Sequence, residues 1–152
     1  MNLKPRKALI DDQSAIDQIV AAAYAHYVPR IGRKPGPMLE DYVSHIIDGH
    51  VYVLEYQQSI QGLLVLVPEE HCLLLENVAV APQAQGRGLG RIMLEFSEMV
   101  AIDCNYSSIR LYTHELMIEN IQTYLRYGYV ETHRAEVNGL RRVYMSKVLS
   151  QR

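Results

Sequence analysis

Leu73-Leu74-Leu75-Glu76-Asn77-Val78-Ala79-Val80-Ala81-Pro82-Gln83-Ala84-Gln85-Gly86-Arg87-Gly88-Leu89-Gly90-Arg91-Ile92 reads as a buried strand that runs through a glycine-rich turn into a helix. That order builds an anion cradle. The first N–H groups of a helix have no partner within it, and the macrodipole adds partial positive charge there, so a phosphate or pyrophosphate is the natural guest. Gly86, Gly88 and Gly90 fall within five positions, more glycine than a plain turn requires. Their missing side chains let a ligand approach the backbone closely.

Two familiar glycine motifs fail on a residue their chemistry needs. A Walker loop ends in Gly-Lys-Ser/Thr, with the lysine on the outer phosphates and the hydroxyl on magnesium, whereas Gly90 is followed by Arg91 and Ile92. The dinucleotide fingerprint G-x-G-x-x-G, begun at Gly86 and Gly88, needs glycine where Arg91 stands, and no βαβ unit precedes it near the N-terminus.

Outward from this stretch, short elements alternate. Lys7 to Ile10 reads as a first strand, after which Asp11 or Asp12 can cap a helix with Ala15, Ile16, Ile19, Val20 and Ala23 at helical spacing. Pro29, Gly32, Pro35, Gly36 and Pro37 break regular structure between Val28 and Met38. Leu39, Tyr42, Val43, Ile46 and Ile47 then suggest a second helix that stops at Gly49. Val51 to Glu55 and Ile60 to Val67 form a hairpin around Gln57-Gln58-Ser59, with the strand Cys72 to Val80 third in line. Leu89, Ile92, Met93, Phe96, Met99 and Val100 make the apolar face of a long helix. A strand from Ile109 to Tyr112 and a helix from Ile118 to Tyr127 follow. Tyr129 to Glu136 and Arg142 to Val148 close the chain around the hairpin turn Asn138-Gly139. The order is β-α-α-β-β-β-α-β-α-β-β, with no internal repeat.

Composition excludes several classes. Hydrophobic residues are 49% and charged residues 21% of 152, the balance of an ordinary globular chain of one domain, residues 1–152. A net charge of −2 argues against a nucleic-acid binder, which needs a basic surplus to displace counterions, although Arg141 and Arg142 make a local basic pair. The apolar run Leu63 to Val67 is of strand length and cannot span a bilayer. Asp11 and Asp12 arrive too early for a secretory leader, so no membrane association and a cytoplasmic location are expected. Cys72 and Cys104 lack metal or redox spacing and read as buried reduced thiols. The six histidines show no paired spacing, so no metal is expected.

Gln85-Gly86-Arg87-Gly88-Leu89-Gly90 fits the pattern Gln/Arg-x-x-Gly-x-Gly/Ala, beginning five residues after Val80. It resembles the acetyl-CoA pyrophosphate loop of the GNAT superfamily of N-acetyltransferases. Glu119-Asn120-Ile121-Gln122-Thr123-Tyr124-Leu125-Arg126-Tyr127-Gly128-Tyr129 resembles that family's later helix, which carries a tyrosine four residues before a Gly-aromatic pair. With the element order, the resemblance covers nearly all of the chain after Leu3, although residues 24–50 match only by their place in the order. It implies an α/β (α+β) GNAT fold: a mixed, mostly antiparallel sheet of about seven strands, flanked by about four helices and splayed to form an acetyl-CoA cleft. The backbone of Val78, Ala79 and Val80 would then pair with pantetheine. The N–H groups of Gln85, Gly86, Arg87, Gly88, Leu89 and Gly90 would hold the pyrophosphate, with Arg91 nearby.

The same resemblance makes Tyr124 the acid that protonates the leaving thiolate, a role a positioned phenol can fill. Its other reading is a core aromatic between Ile121 and Leu125. Glu76, a carboxylate in an otherwise apolar strand, is costly there unless hydrogen-bonded or useful, and is the candidate base. A structural partner for backbone or a basic group is its alternative. His114 is the second candidate base. Asn120 either touches cofactor or orients the helix start, because many family members place that asparagine seven residues before the tyrosine, where this chain has Met117. Tyr24, Tyr27 and Arg30, with His114, are the candidate acceptor-binding residues, Arg30 being the natural anion clamp. The implied activity is transfer of acetyl from acetyl-CoA to an amine acceptor through a ternary complex. A noncatalytic acyl-CoA sensor is the alternative, and a homodimer, common among such proteins, is left open.

Overall fold

The computed structural model describes residues 3–150. Seven strands, β1 (Arg6–Lys7), β2 (Val51–Tyr56), β3 (Ser59–Pro68), β4 (Leu73–Val80), β5 (Ser108–His114), β6 (Val130–Val137) and β7 (Leu140–Val148), form one sheet in the order β1-β2-β3-β4-β5-β7-β6. Every neighbouring pair is antiparallel except β4 and β5, which are parallel. Five α-helices accompany it: α1 (Gln13–Tyr24), α2 (Tyr27–Ile31), α3 (Tyr42–Ile47), α4 (Leu89–Asp103) and α5 (Ile118–Arg126). This is the expected mixed, mostly antiparallel architecture, with one more short helix than anticipated.

Helix α1 packs on β3 and β4, and α4 on β3, β4 and β5. Ile16 from α1, Leu63 and Leu64 from β3, Leu73 and Leu75 from β4, Met93 from α4 and Leu111 from β5 are all fully buried. Each such side chain contributes roughly 1.5–3 kcal/mol relative to exposure. Gly62 leaves room for α4 against the sheet, since a Cβ there would lie 2.9 Å from Met93 Cε. Two tight hairpins set register: Gln57-Gln58 and Asn138-Gly139 both hold positive φ at successive residues, the geometry that matches strand twist.

Four local expectations are corrected. The first strand is Arg6–Lys7, not Lys7 to Ile10, because the Asp12 carboxylate accepts from the Leu9 N–H at 2.7 Å and from Arg6 at 2.9 Å, curling Ile10–Asp12 into a 3₁₀ turn. Asp12 therefore stands before α1 without capping it. Pro29 does not break the chain: it lies in the first turn of α2, where its missing N–H would have no helical partner, and the stop comes at left-handed Gly32. Leu39 belongs to a separate 3₁₀ turn, Gly36–Leu39. Helix α3 begins three residues later under Asp41, which accepts from the Ser44 N–H at 3.2 Å. Both cysteines are free thiols, but Cys104 is exposed and Cys72 only half-buried.

Among the described residues no helix is long and apolar enough to cross a membrane.

Candidate active site

β4 and β5 are paired only at Leu73 with Ile109 and Leu74 with Arg110, after which they part. A bulge lies at the fork: Leu66 pairs with Leu75 and Val65 with Asn77, leaving Glu76 without a partner on β3. An extra residue bends the strand and re-aims its side chains, and here Leu75, Glu76, Asn77 and Val78 all reach the wall of one cavity.

Past the bulge the open edge of β4 carries backbone groups with no strand partner. The Ala81 N–H donates to Gln61 O across the ladder at 2.8 Å. Because a strand residue sends N–H and C=O to the same side and its neighbours alternate, Val78 and Val80 turn theirs toward the fork and Ala79 turns its own toward β3. The contacts agree: Val78 O accepts from the Tyr24 hydroxyl at 3.2 Å and Val80 O from Gln85 Nε2 at 3.3 Å.

The glycine turn then enters α4. Gly86 and Gly88 hold φ of +78° and +83°, left-handed values that favour glycine. Gly88 precedes the first residue of α4, and its carbonyl accepts from the Ile92 N–H at 3.1 Å. Leu89 is buried and anchors the turn, while Gly86, Arg87 and Gly88 stay exposed. Gly90 is already helical and faces Val80, whose Cγ2 lies 4.0 Å from where a Cβ would be. Arg91 pairs with Glu95 one turn on at 2.9 Å.

Two concavities meet at this fork. An open cleft of about 470 Å³ is lined by Val78, Ala79, Val80, Gln85, Gly90 and Arg91 from β4, the glycine turn and the start of α4, and by Thr123 and Tyr127 from α5 and its end. A second, smaller cavity of about 60 Å³ is lined by Glu40, Glu76, Asn77, Tyr112, His114 and Arg142 among others. Tyr24, Val78, Asn120 and Tyr124 belong to both walls. A group crossing from one to the other passes these four residues.

Tyr124 is buried, and burial holds its phenol well above the usual range, so it carries its proton at every working pH. Tyr24 donates to Asn77 Oδ1, Asn77 Nδ2 donates to the Tyr42 hydroxyl at 2.8 Å, and that hydroxyl donates to Pro37 O at 2.6 Å. This chain ties α1, β4 and the segment before α3 into one wall. Asn120 is half-buried and does not cap α5, whose first residue follows Met117 with no side-chain cap.

The charged groups of the second cavity are coupled. Burial in the apolar strand, then a hydrogen bond with Glu40 and repulsion from its charge, push the Glu76 carboxyl up to about 8. The bond from Glu76 holds Glu40 below its usual range. The two shifts describe one proton shared by the pair and resting on Glu76. His45 from α3 completes the cluster, its Nε2 lying 3.0 Å from Glu40 and 3.6 Å from Glu76. One ligand atom from each of the three lies within 4.8 Å of the others, so these residues are the ones that could hold a cation. His114 is the last residue of β5 and not a loop residue. Its Nδ1 accepts from the Leu116 N–H at 3.1 Å, and burial lowers its pKa, keeping the ring neutral.

Of the candidate acceptor residues, Tyr24 and His114 line the second cavity, while Tyr27 lines the cleft. Arg30 lies on neither wall. Its guanidinium grips Glu119 at 2.6 and 3.0 Å and the Leu116 carbonyl at 3.1 Å, tying α2 to α5. Glu40, His45, Asn77 and Arg142 are additions from the fold. Asn77 had a legible signal, a polar side chain beside Glu76 in the same apolar strand. The others stand on separate elements and had none.

Residues 48–131 match a family model described as an acetyltransferase (GNAT) domain. Among solved structures, a GNAT-family acetyltransferase from Streptococcus agalactiae 2603 superposes with a TM-score of 0.82 at 17% identity, over 98% of this chain and 96% of that one. PaiA N-acetyltransferase from Thermoplasma acidophilum, in complex with coenzyme A, gives 0.79 at 15% identity over 97% and 99%. A GNAT-family acetyltransferase from Elizabethkingia anophelis with acetyl-CoA bound gives 0.70 at 19% identity over 97% of each chain. Comparison with curated protein sequences yields no significant match. The matched segment runs from the end of α3 into β6 and includes both splayed strands and the glycine turn: the chain belongs to the GNAT family of acetyltransferases.

Proposed function

We propose that the protein is an N-acetyltransferase that moves acetyl from acetyl-CoA directly to an amine through a ternary complex. The observation that carries this reading is the shared wall of Tyr24, Val78, Asn120 and Tyr124 between two separate concavities. Direct transfer needs donor and acceptor sites that meet at one point, and a wall shared by two concavities supports that arrangement.

In this reading the cleft takes acetyl-CoA. Pantetheine pairs with the free edge of Val78 and Val80, Asn120 contacts it from α5, and the pyrophosphate rests on the N–H groups from Gln85 to Gly90, with Arg91 beside them. The amine occupies the second cavity. Its nitrogen attacks the thioester carbonyl carbon, the C–N bond forms and the C–S bond breaks. The amine proton passes to ionised Glu76, and Tyr124 returns a proton to the departing thiolate. Tyr124→Phe keeps the ring and removes that proton, and is expected to lower kcat about a hundredfold with acetyl-CoA affinity retained. Wild-type turnover would remove Tyr124 from the acid role.

The base must be ionised, so kcat/KM is expected to rise with pH and level off above about 8, the value at which Glu76 loses its proton. Glu40→Gln removes the charge that opposes this ionisation, and moves the inflection downward by about one unit. A pH profile in both proteins checks this, and an unmoved inflection assigns the limb to another group.

Release of free thiol from acetyl-CoA across a panel of amines and peptides, with acetyl-CoA binding followed by calorimetry, tests the whole reading. Amine-dependent release supports it. Tight binding with no release from any amine identifies a sensor, and absence of both removes the cofactor site.

A further inference from the structure

Arg142 stands in the wall of the second cavity without a carboxylate partner. Arg30, Arg110 and Arg141 each close on a glutamate at 2.6–3.1 Å. For Arg142, by contrast, no carboxylate of the described residues lies within ion-pairing distance. Its guanidinium is held by the face of Tyr112, 3.9 Å from the ring centroid, and by one bond in which Nη1 donates to the Tyr144 hydroxyl at 3.3 Å. Stacking fixes the plane of the fork and leaves most of its N–H groups unused. A half-buried cation left with unfilled donors is costly unless an anion arrives.

The same wall carries the Glu40 and Glu76 side chains, which are hydrogen-bonded to each other and lie 3.0 and 3.6 Å from His45 Nε2. Arg142 acts on both carboxyls through space, lowering the pKa of each, but makes no contact ion pair with either, so the cavity presents a guanidinium and a pair of carboxyls side by side. His114, neutral for the reason given above, adds no second cation. At about 60 Å³ the cavity admits only a small occupant.

Granting the acetyl-transfer reading, we propose that the acceptor is a small amine carrying a carboxylate, with Arg142 anchoring the carboxylate and Glu40 and Glu76 facing the amine. The anion clamp thus sits on β7, and Arg30, committed to Glu119, does not supply it. A rigid guanidinium matches a planar carboxylate through two parallel hydrogen bonds, which gives both affinity and orientation. Fixing the carboxylate fixes where the nitrogen lies relative to the shared wall, so Arg142 selects the acceptor and also places it.

The test uses α-, β- and γ-amino acids, each beside its own carboxamide, titrated calorimetrically into the CoA-loaded protein and then assayed for thiol release from acetyl-CoA. At least one amino acid is expected to bind roughly 30-fold tighter than its amide. In Arg142→Gln that ratio falls to within about threefold, and in Arg142→Lys, which keeps charge and loses the fork, it lies between. Both variants are expected to bind acetyl-CoA with wild-type affinity, which shows that they are folded, because Arg142 is not on the cleft wall. Equal binding of every amino acid and its amide, or a preference that survives in Arg142→Gln, overturns the proposal. A carboxylate preference lost in Arg142→Gln without any thiol release upholds the anchor and overturns the acetyl-transfer reading instead.

Discussion

Glu76→Gln is expected to cost about 10²–10³-fold in kcat/KM at pH 9 and far less at pH 6, because the wild-type carboxyl is already protonated there. The variant should lose the rise through pH 8. The same substitution is expected to stabilise the protein in the opposite pH range from ordinary acid denaturation. In the unfolded chain this carboxyl titrates near its ordinary value of 4.5, and in the fold near 8. Between those values the folded state binds more protons than the unfolded one. The stability it contributes is therefore fully present below about pH 4.5 and is lost as pH climbs through 8. Glutamine carries no such titration. The melting temperature of Glu76→Gln should exceed wild type by about 5 °C at pH 9, with the gap closing toward pH 5. Thermal melts at both pH values, beside the rate profiles, decide the point. A constant gap would mean that Glu76 is not strained by burial, and an unchanged rate at pH 9 would remove it as the base.

Gly88→Leu should abolish measurable acetyl-CoA binding, a loss of at least about a hundredfold, while the protein stays folded. Apart from its chain neighbours, no atom of the described residues lies within 4 Å of a Cβ built on Gly88, so a Cβ there meets no packing and the side chain starts in open ground at the start of α4. That ground is where the pyrophosphate would need bare N–H groups. The cost to the fold is confined to the left-handed backbone, about 1–2 kcal/mol against a total of about 5–15. Gly32 supplies the control. It also holds a left-handed φ, +87°, with nothing beyond its chain neighbours within 4 Å of where a Cβ would be, and it ends α2 and lines neither the cleft nor the second cavity. Gly32→Leu should therefore cost a similar melting temperature and leave acetyl-CoA affinity unchanged. Equal loss in both variants would trace the effect to strain, and retained affinity in Gly88→Leu would displace the anion from this turn.

How these two residues were legible differs. Gly88 announced itself through a contiguous pattern: strand, glycine turn and helix succeed one another along the chain, and each is dictated by local rules of burial, φ and capping. Glu76 announced itself as an ionisable side chain in an apolar run. What its environment would be was not legible, since the bulge depends on how β4 registers with β3, and the raised pKa depends on Glu40 arriving from the segment before α3. The misread N-terminus has a similar cause. Asp12 looked like a helix cap, but the Leu9 N–H and Arg6 were closer bidders for the same oxygens.

By itself, then, the sequence determined the order of elements apart from α2, the hairpin turns and the glycine-rich half of the candidate site, because those features are written in residues adjacent along the chain. The tertiary structure alone decided the other half. It committed Arg30 to Glu119, brought Glu40 and His45 against Glu76, and left Arg142 on the face of Tyr112 with its donors open. Which charge meets which is set by distances between elements remote in sequence, and no local periodicity carries those distances.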